Sequence, residues 1–275
     1  MEGPRAKKSL GQNFLIDGNI AAKIVGTLFI SPQDKVVEIG PGAGALTERI
    51  RLAAPAELLL VEKDGHWAAE REKSLAGYEG KASVLAEDAL HMPWEGIPPP
   101  WKCIGNLPYN IASPLMWEIF SRASGLARAV FMIQKEVGER VIAQPGTKAY
   151  GALSVWVQSH MTPKLEFTVP PQVFVPRPKV YSAVLSFVPA ATSALPLPQE
   201  RAALGMLLRR CFQQRRKQLG TILKGCAKGD ALWADSGIAP ERRPETLTPQ
   251  QFLSLSRLLR DLPSCALSIT ARRQP

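Results

Sequence analysis

The chain has 275 residues, enough for two unequal domains with separate cores. Its composition, 45% hydrophobic and 21% charged, excludes a disordered or fibrous protein. The net charge of +10 is unevenly spread: residues 1–190 carry 20 Lys/Arg against 18 Asp/Glu, and residues 191–275 carry 14 against 6. A near-neutral body joined to a basic module that faces a polyanion is the expectation. The four cysteines form no C-x-x-C pair and His66, His91 and His160 are scattered, so neither a zinc site nor a disulfide framework is expected. No apolar leader opens the chain and no run of about 18 apolar residues occurs, which predicts a soluble, cytoplasmic protein.

In chain order, Asp17 caps a predicted helix whose apolar face is Ile20, Ile24, Val25 and Leu28. Short apolar runs at 35–39, 57–61, 82–86, 101–105 and 128–133 read as buried strands. Helical patterns at 44–53, 65–76, 114–121 and 135–143 lie between them. This alternation predicts a Rossmann-like α/β sheet, mostly parallel, with helices on both faces. Two β-rich stretches, 150–160 and 180–188, flank the Pro-studded segment from Val169 to Pro178 and are expected as antiparallel strands at the sheet edge. The Pro-rich, uncharged stretch 189–198 reads as a linker. Beyond it, 199–213, 215–225 and 248–260 read as helices, the last opened by a capping box over Thr248 and Gln251. The predicted organisation is an α/β domain over 1–190 and a basic helical domain, suited to a polyanion, over 191–275, with 263–275 as a loose tail.

The first predicted strand runs into Gly40-Pro41-Gly42-Ala43-Gly44, a pattern that fits a dinucleotide-binding turn as well as other nucleoside cofactors. Glu62, at the end of the second strand, suits the two hydroxyls of a ribose. Glu38 beside the loop would repel a pyrophosphate but suits the ammonium of a methionine moiety, which favours S-adenosylmethionine. Asp88, ending the third strand with Ala89 after it, is placed to accept an adenine amino group.

Asn106-Leu107-Pro108-Tyr109 follows the fourth strand, where ligands bind in such sheets. An aromatic amine is a poor nucleophile, because its lone pair is delocalised into the ring. It needs two acceptors for its hydrogens rather than a strong base. The side-chain oxygen of Asn106 and the backbone carbonyl of Leu107 can supply them, Pro108 stiffens the loop, and Tyr109 can stack on the base. The predicted chemistry is methyl transfer to adenine N6 without a metal.

These segments resemble the ribosomal RNA adenine dimethyltransferase family. The likeness is carried by Lys7-Lys8-Ser9-Leu10-Gly11-Gln12-Asn13-Phe14-Leu15, the glycine loop, Val61-Glu62-Lys63-Asp64, Glu87-Asp88-Ala89, Asn106 to Asn110, Gln134-Lys135-Glu136, Val173 to Val180 and Phe212 to Lys217. The resemblance implies that Asn13 and Leu15 join Gly40, Glu62, Asp88 and Asn106 around the cofactor, and that Phe174 comes to the target base opposite Tyr109. It also implies four methyl transfers, two on each of two adjacent adenosines near the 3′ end of small-subunit (16S) ribosomal RNA. The expected partner is the immature 30S subunit, and the protein is expected to act as a monomer.

RNA contacts are expected from Lys7 and Lys8 and from a basic cluster of Arg209, Arg215, Arg216 and Lys217. There, Arg209, Gln213 and Arg216 would share one helical face, and the cluster has no acidic partner at i±4. Three other readings use part of the same residues. They are a DNA adenine methyltransferase, a ribosome-assembly factor whose enzymatic role is secondary, and a nicotinamide-dependent dehydrogenase. Acceptance of methyl by duplex DNA, subunit maturation by an inactive Asn106→Ala protein, and nicotinamide binding would respectively mark them.

Overall fold

The computed structural model describes residues 7, 11–191, 196–226 and 231–260. The chain forms two compact units: Met1–Ile142 with Met161–Pro189, and Ala143–His160 with Ala190–Pro275.

In the first unit, strand β1 (Phe14–Leu15) precedes helix α1 (Gly18–Gly26). The Asp17 carboxylate accepts from the N–H groups of Asn19 and Ile20, satisfying two of the helix's orphan donors. Then β2 (Lys35–Ile39), α2 (Ala45–Leu52), β3 (Glu57–Val61), α3 (Gly65–Ser74), β4 (Lys81–Leu85), β5 (Trp101–Asn106), α4 (Ala112–Arg122), β6 (Leu126–Gln134) and α5 (Lys135–Ile142) alternate as expected. Strand β7 (Met161–Val169), the short β8 (Phe174–Val175) and β9 (Ser182–Pro189) complete the unit. The main sheet has the order β4-β3-β2-β5-β6-β9-β7, parallel from β4 to β6 and antiparallel at β9 and β7. The strand order reverses between β2 and β5, which is where an open sheet of this kind forms a ligand crevice.

Period-two burial divides the sheet residues between two faces. Leu58 and Leu60 of β3, Ile104 of β5, and Val130 and Met132 of β6 pack with Ala21, Ile24 and Val25 of α1, with Leu28 just after it, and with Leu46 and Ile50 of α2. Phe131, one step off that register, is part of an aromatic group with Phe120 of α4 and Phe187 of β9, ring centroids 5.1–6.2 Å apart. A small two-stranded sheet joins β1 to β8 antiparallel, with Leu15 opposite Phe174.

The second unit holds α6 (Ala152–His160), α7 (Pro198–Gln213), α8 (Leu219–Ile222), α9 (Ala231–Ser236) and α10 (Pro249–Arg260). The capping box at α10 forms: Thr248 Oγ1 accepts from the Gln251 N–H, and Gln251 Oε1 accepts from the Thr248 N–H. Glu200 of α7 and Arg257 of α10 pair at 2.9 Å.

Three elements differ from the sequence reading. The stretch 150–160, expected as a strand, contains helix α6. Ser154, Val155, Trp156, Val157, Ser159 and His160 are all buried there, and a segment buried all round carries no period that separates helix from strand. Conversely β7 is not anticipated by the sequence, because Pro163 lies within it. Proline is tolerated there since β7 is the edge strand, pairing only with β9. The expected helix 215–225 shrinks to Leu219–Ile222, because residues 214–217 form a turn after α7. The expected tail, 263–275, lies outside the described residues.

His160 gives the second unit a pH dependence. It is 2% exposed, its Nδ1 donates to the Trp156 carbonyl at 2.7 Å, and its Nε2 is buried without a hydrogen-bond partner. Burial, above all, lowers its pKa to about 4. The unfolded chain therefore binds a proton at this residue that the folded chain refuses. Its contribution to stability is complete above about pH 6.5 and is lost as pH falls from there toward about 4, by up to about 3 kcal/mol. Urea titrations at several pH values should show this limb, and His160→Gln, which keeps a donor but does not titrate, should flatten it.

Candidate active site

The carboxyl ends of β2, β3, β4 and β5 open onto a cleft of about 920 Å3, adjoining solvent included. Its walls come from the strand ends (Ile39, Gly40, Gly42; Val61, Glu62, Lys63; Glu87, Asp88, Ala89; Asn106 to Ile111) and from the N-terminal segment Gly11–Phe14. Asn13, Gly40, Gly42, Glu62, Asp88, Ala89, Asn106, Leu107, Pro108 and Tyr109, which span residues 13 to 109 of the chain, are thus brought together.

The glycine loop needs glycine for two physical reasons. Gly42 and Gly44 have φ of 49° and 91°, a region that side chains disfavour. A Cβ on Gly42 would meet the Phe14 ring at 2.9 Å, and one on Gly44 would meet Arg71 Nη1 at 1.9 Å. Glu62 holds the loop to the end of β3: its Oε2 accepts from the Gly42 N–H at 3.0 Å and its Oε1 from the Asp64 N–H at 2.8 Å. Burial raises the Glu62 pKa, and these two N–H donors oppose the rise.

At the other end of the cleft Lys63 pairs with Asp88 Oδ2 at 2.7 Å, while Asp88 Oδ1 accepts from the Leu90 N–H at 3.0 Å. Burial pushes the Asp88 carboxyl up, but the Lys63 ammonium and the Leu90 N–H outweigh it and hold the group below the usual range. Asp88 is therefore an ionised acceptor.

The Asn106–Tyr109 tetrapeptide is pinned at every residue. Leu107 N–H donates to the Met132 carbonyl at 3.0 Å, and the Pro108 carbonyl accepts from Ile111 and Ala112 at the start of α4. Tyr109 Oη lies 2.7 Å from Ser182 Oγ on β9. Asn106 Nδ2 donates to the Asn13 carbonyl at 2.9 Å. A carbonyl can only accept, so the amide nitrogen of Asn106 must face Asn13, and its oxygen is the atom left to take a hydrogen from a substrate.

Several expected site residues stand elsewhere. Phe174 is 2% exposed, sits in the core with Leu15 and Val184, and is not among the residues that line the cleft. Leu15 and Glu38 line a smaller adjoining hollow with Pro41 and Ala43. Glu38 is 1% exposed behind the loop, accepts from Thr47 Oγ1 at 2.7 Å, and is pushed up to about 8 by burial. Its hydrogen bond thus ties the end of β2 to Thr47 in the first turn of α2. Gly44 caps the start of α2 and lines neither space.

Of the expected RNA contacts, Lys7 pairs with Asp64 at 2.7 Å and Arg215 with Glu245 at 2.8 Å, so both cations are already engaged. Lys8 lies outside the described residues. Arg209, Arg216 and Lys217 are exposed, but α7 ends at Gln213, so Arg209, Gln213 and Arg216 do not share one helical face. Among the described residues no group of three or more His, Cys, Asp or Glu could hold a metal. Among them, too, no helix is long and apolar enough to cross a membrane.

Sequence reasoning misses Gln12, Lys63, Glu87 and Ser182. Lys63 and Glu87 are findable, since they follow adjacent parallel strands whose register pairs Val61 with Leu85. Ser182 is not, because it meets Tyr109 across 73 positions of sequence. The burial of Phe174 predicts that Phe174→Ala will destabilise the protein by about 3–5 kcal/mol, measured by urea unfolding. A side chain that stacks only on a bound base would leave stability unchanged.

The profile of the family described as ribosomal RNA adenine dimethylase matches residues 3–261. Ribosomal RNA small subunit methyltransferase A of Nitratidesulfovibrio vulgaris (strain DP4) is 57% identical over 256 residues, spanning 92% of this chain and 96% of that protein. The crystal structure of a dimethyladenosine transferase from Plasmodium falciparum matches with a TM-score of 0.72 at 27% identity, over 88% of this chain and 95% of that one. That of the 23S rRNA methyltransferase ErmE, at 24% identity and a TM-score of 0.66 over 90% and 99%, shares the fold. With these matches spanning nearly its whole length, the chain belongs to the ribosomal RNA adenine dimethylase family.

Proposed function

We propose that this protein transfers methyl groups from S-adenosylmethionine to N6 of two adjacent adenosines near the 3′ end of small-subunit (16S) ribosomal RNA, giving dimethyladenosines, and that it acts in the cytoplasm, as a monomer, on the immature 30S subunit. The observation that carries the reading is the Asn106 amide, whose nitrogen is committed to Asn13 and whose oxygen is thereby presented at the cleft. An exocyclic amine needs acceptors for its hydrogens as it becomes tetrahedral, and Asn106 Oδ1 with the Leu107 carbonyl supplies two.

The cleft residues fit the cofactor. Glu62 offers carboxylate oxygens to a ribose, Asp88 is an ionised acceptor for an adenine amino group, and Gly40, with no atom within 4 Å of where a Cβ would stand, leaves backbone open to a ligand. When bound, the cofactor supplies an electrophilic methyl on a sulfonium, a strong leaving group. The protein's part is to hold the amine in line, to take up its hydrogen bonds and to cover the base with Tyr109. Phosphate binding belongs to the second unit, through the exposed Arg209, Arg216 and Lys217.

The direct test is mass-spectrometric mapping of adenine methylation after incubating the protein with unmethylated small subunits. Dimethyladenosine at two adjacent positions is expected, and methylation of duplex DNA instead would overturn the substrate. Asn106→Ala should lower kcat by about 10²–10³-fold and leave RNA affinity intact. Neutralising Arg209, Arg216 and Lys217 together should do the converse. It should flatten the log–log salt dependence of RNA binding by about 0.7–0.9 for each phosphate that is no longer neutralised. Glu62→Ala should weaken cofactor binding in calorimetry by about 1.5–3 kcal/mol.

A further inference from the structure

We infer that Asp64 is a positioning residue for methyl transfer: through Lys7 and Gln12 it latches the N-terminal strap whose Asn13 carbonyl orients the Asn106 amide. The inference rests on the active-site reading above and adds a residue that does not line the cleft.

Asp64 caps α3, its Oδ1 accepting from the His66 N–H at 3.1 Å. Capping needs one oxygen and no charge, and Ser or Asn serves about equally well. Asp64 does more. Lys7 Nζ donates to the same Oδ1 at 2.7 Å, and Gln12 Nε2 donates to Oδ2 at 3.3 Å. Gln12 Oε1 in turn accepts from the Lys7 N–H at 2.8 Å, so Lys7, Gln12 and Asp64 close a ring. The Asp64 side chain is 1% exposed, whereas that of Lys7 is 56% exposed. Burial pushes this carboxyl up, yet the donors from Lys7, His66 and Gln12 hold it below the usual range.

The strap is tied at its other end as well. Phe14 and Leu15 pair with Val175 and Phe174, and the Ile16 N–H donates to the Val173 carbonyl at 2.9 Å. Asn13 lies between the two ties, and its carbonyl takes the Asn106 amide. With the β1–β8 pairing alone, the segment N-terminal to Asn13 would be free to swing, and the Asn106 amide would lose the partner that fixes which end faces the cleft. The Asp64 N–H also donates to Glu62 Oε1, joining the latch to the acid that holds the glycine loop.

Two variants separate latch from cap. Asp64→Asn keeps a capping side chain but removes the charge that Lys7 meets. Lys7→Met cuts the latch from the strap side and leaves Asp64 free to cap. In the full-length protein each is expected to weaken S-adenosylmethionine binding in calorimetry and lower kcat by about ten-fold or more. The KM for small subunits and the melting temperature should stay near wild type, while amide exchange at residues 11–14 should quicken. The double variant should be no worse than either single one, and Lys7→Arg should retain function. Wild-type cofactor affinity and kcat in Asp64→Asn would overturn the inference. So would a Lys7→Met protein that loses RNA affinity but not cofactor affinity, which would make Lys7 an RNA-binding residue. If the wild-type protein itself bound no S-adenosylmethionine, the active-site reading would fall and the latch with it.

Discussion

An asparagine amide is nearly symmetric in shape and opposite in chemistry at its two ends, so its usefulness to an amine substrate depends on which end is already taken. The hydrogen bond from Asn106 Nδ2 to the Asn13 carbonyl decides that. Much else in the first unit serves it. Leu107 is tied to β6, Pro108 to the first turn of α4, and Tyr109 to β9, so the loop cannot rotate away from Asn13. The strap carrying Asn13 is held at both ends, by a strand pairing and by the carboxylate of Asp64.

The cleft's carboxylates illustrate how environment divides chemically similar groups. Glu38 and Glu62 are buried, and burial raises both. Asp64 is buried and Asp88 half-buried, but each faces a lysine ammonium, and each is held low. Glu62 accepts from the Gly42 N–H of the glycine loop, and Glu38 from Thr47 in the first turn of α2. The acids paired with lysines stay ionised and can accept from a ligand or a strap.

Charge and chemistry occupy different stretches of chain. The polar groups of the cleft lie before residue 112, and most of the excess positive charge lies after residue 190. Within that basic region the cations are not equivalent. Arg215 is neutralised by Glu245 and Arg210 donates to the Ile222 carbonyl, whereas Arg209, Arg216 and Lys217 are exposed. Net charge identifies the region, and only the partner of each side chain separates structural cations from those open to a polyanion.

The sequence by itself determined the alternating sheet, the glycine loop and the acids at successive strand ends. These features are local: a two- or 3.6-residue apolar period, a cap, or a turn that only glycine tolerates. The Asn106–Tyr109 motif was legible for the same reason, since its chemistry lies in four consecutive residues at a strand end. Only the tertiary structure decided that Ala152–His160 is a helix, because a segment buried on all sides loses the period that names it. It also decided that Phe174 packs in the core, since a lone aromatic carries no mark of which surface it will meet. Lys7 and Asp64 are 57 positions apart, and Asn13 and Asn106 are 93 apart. Such contacts depend on how the chain closes on itself, which no local pattern encodes.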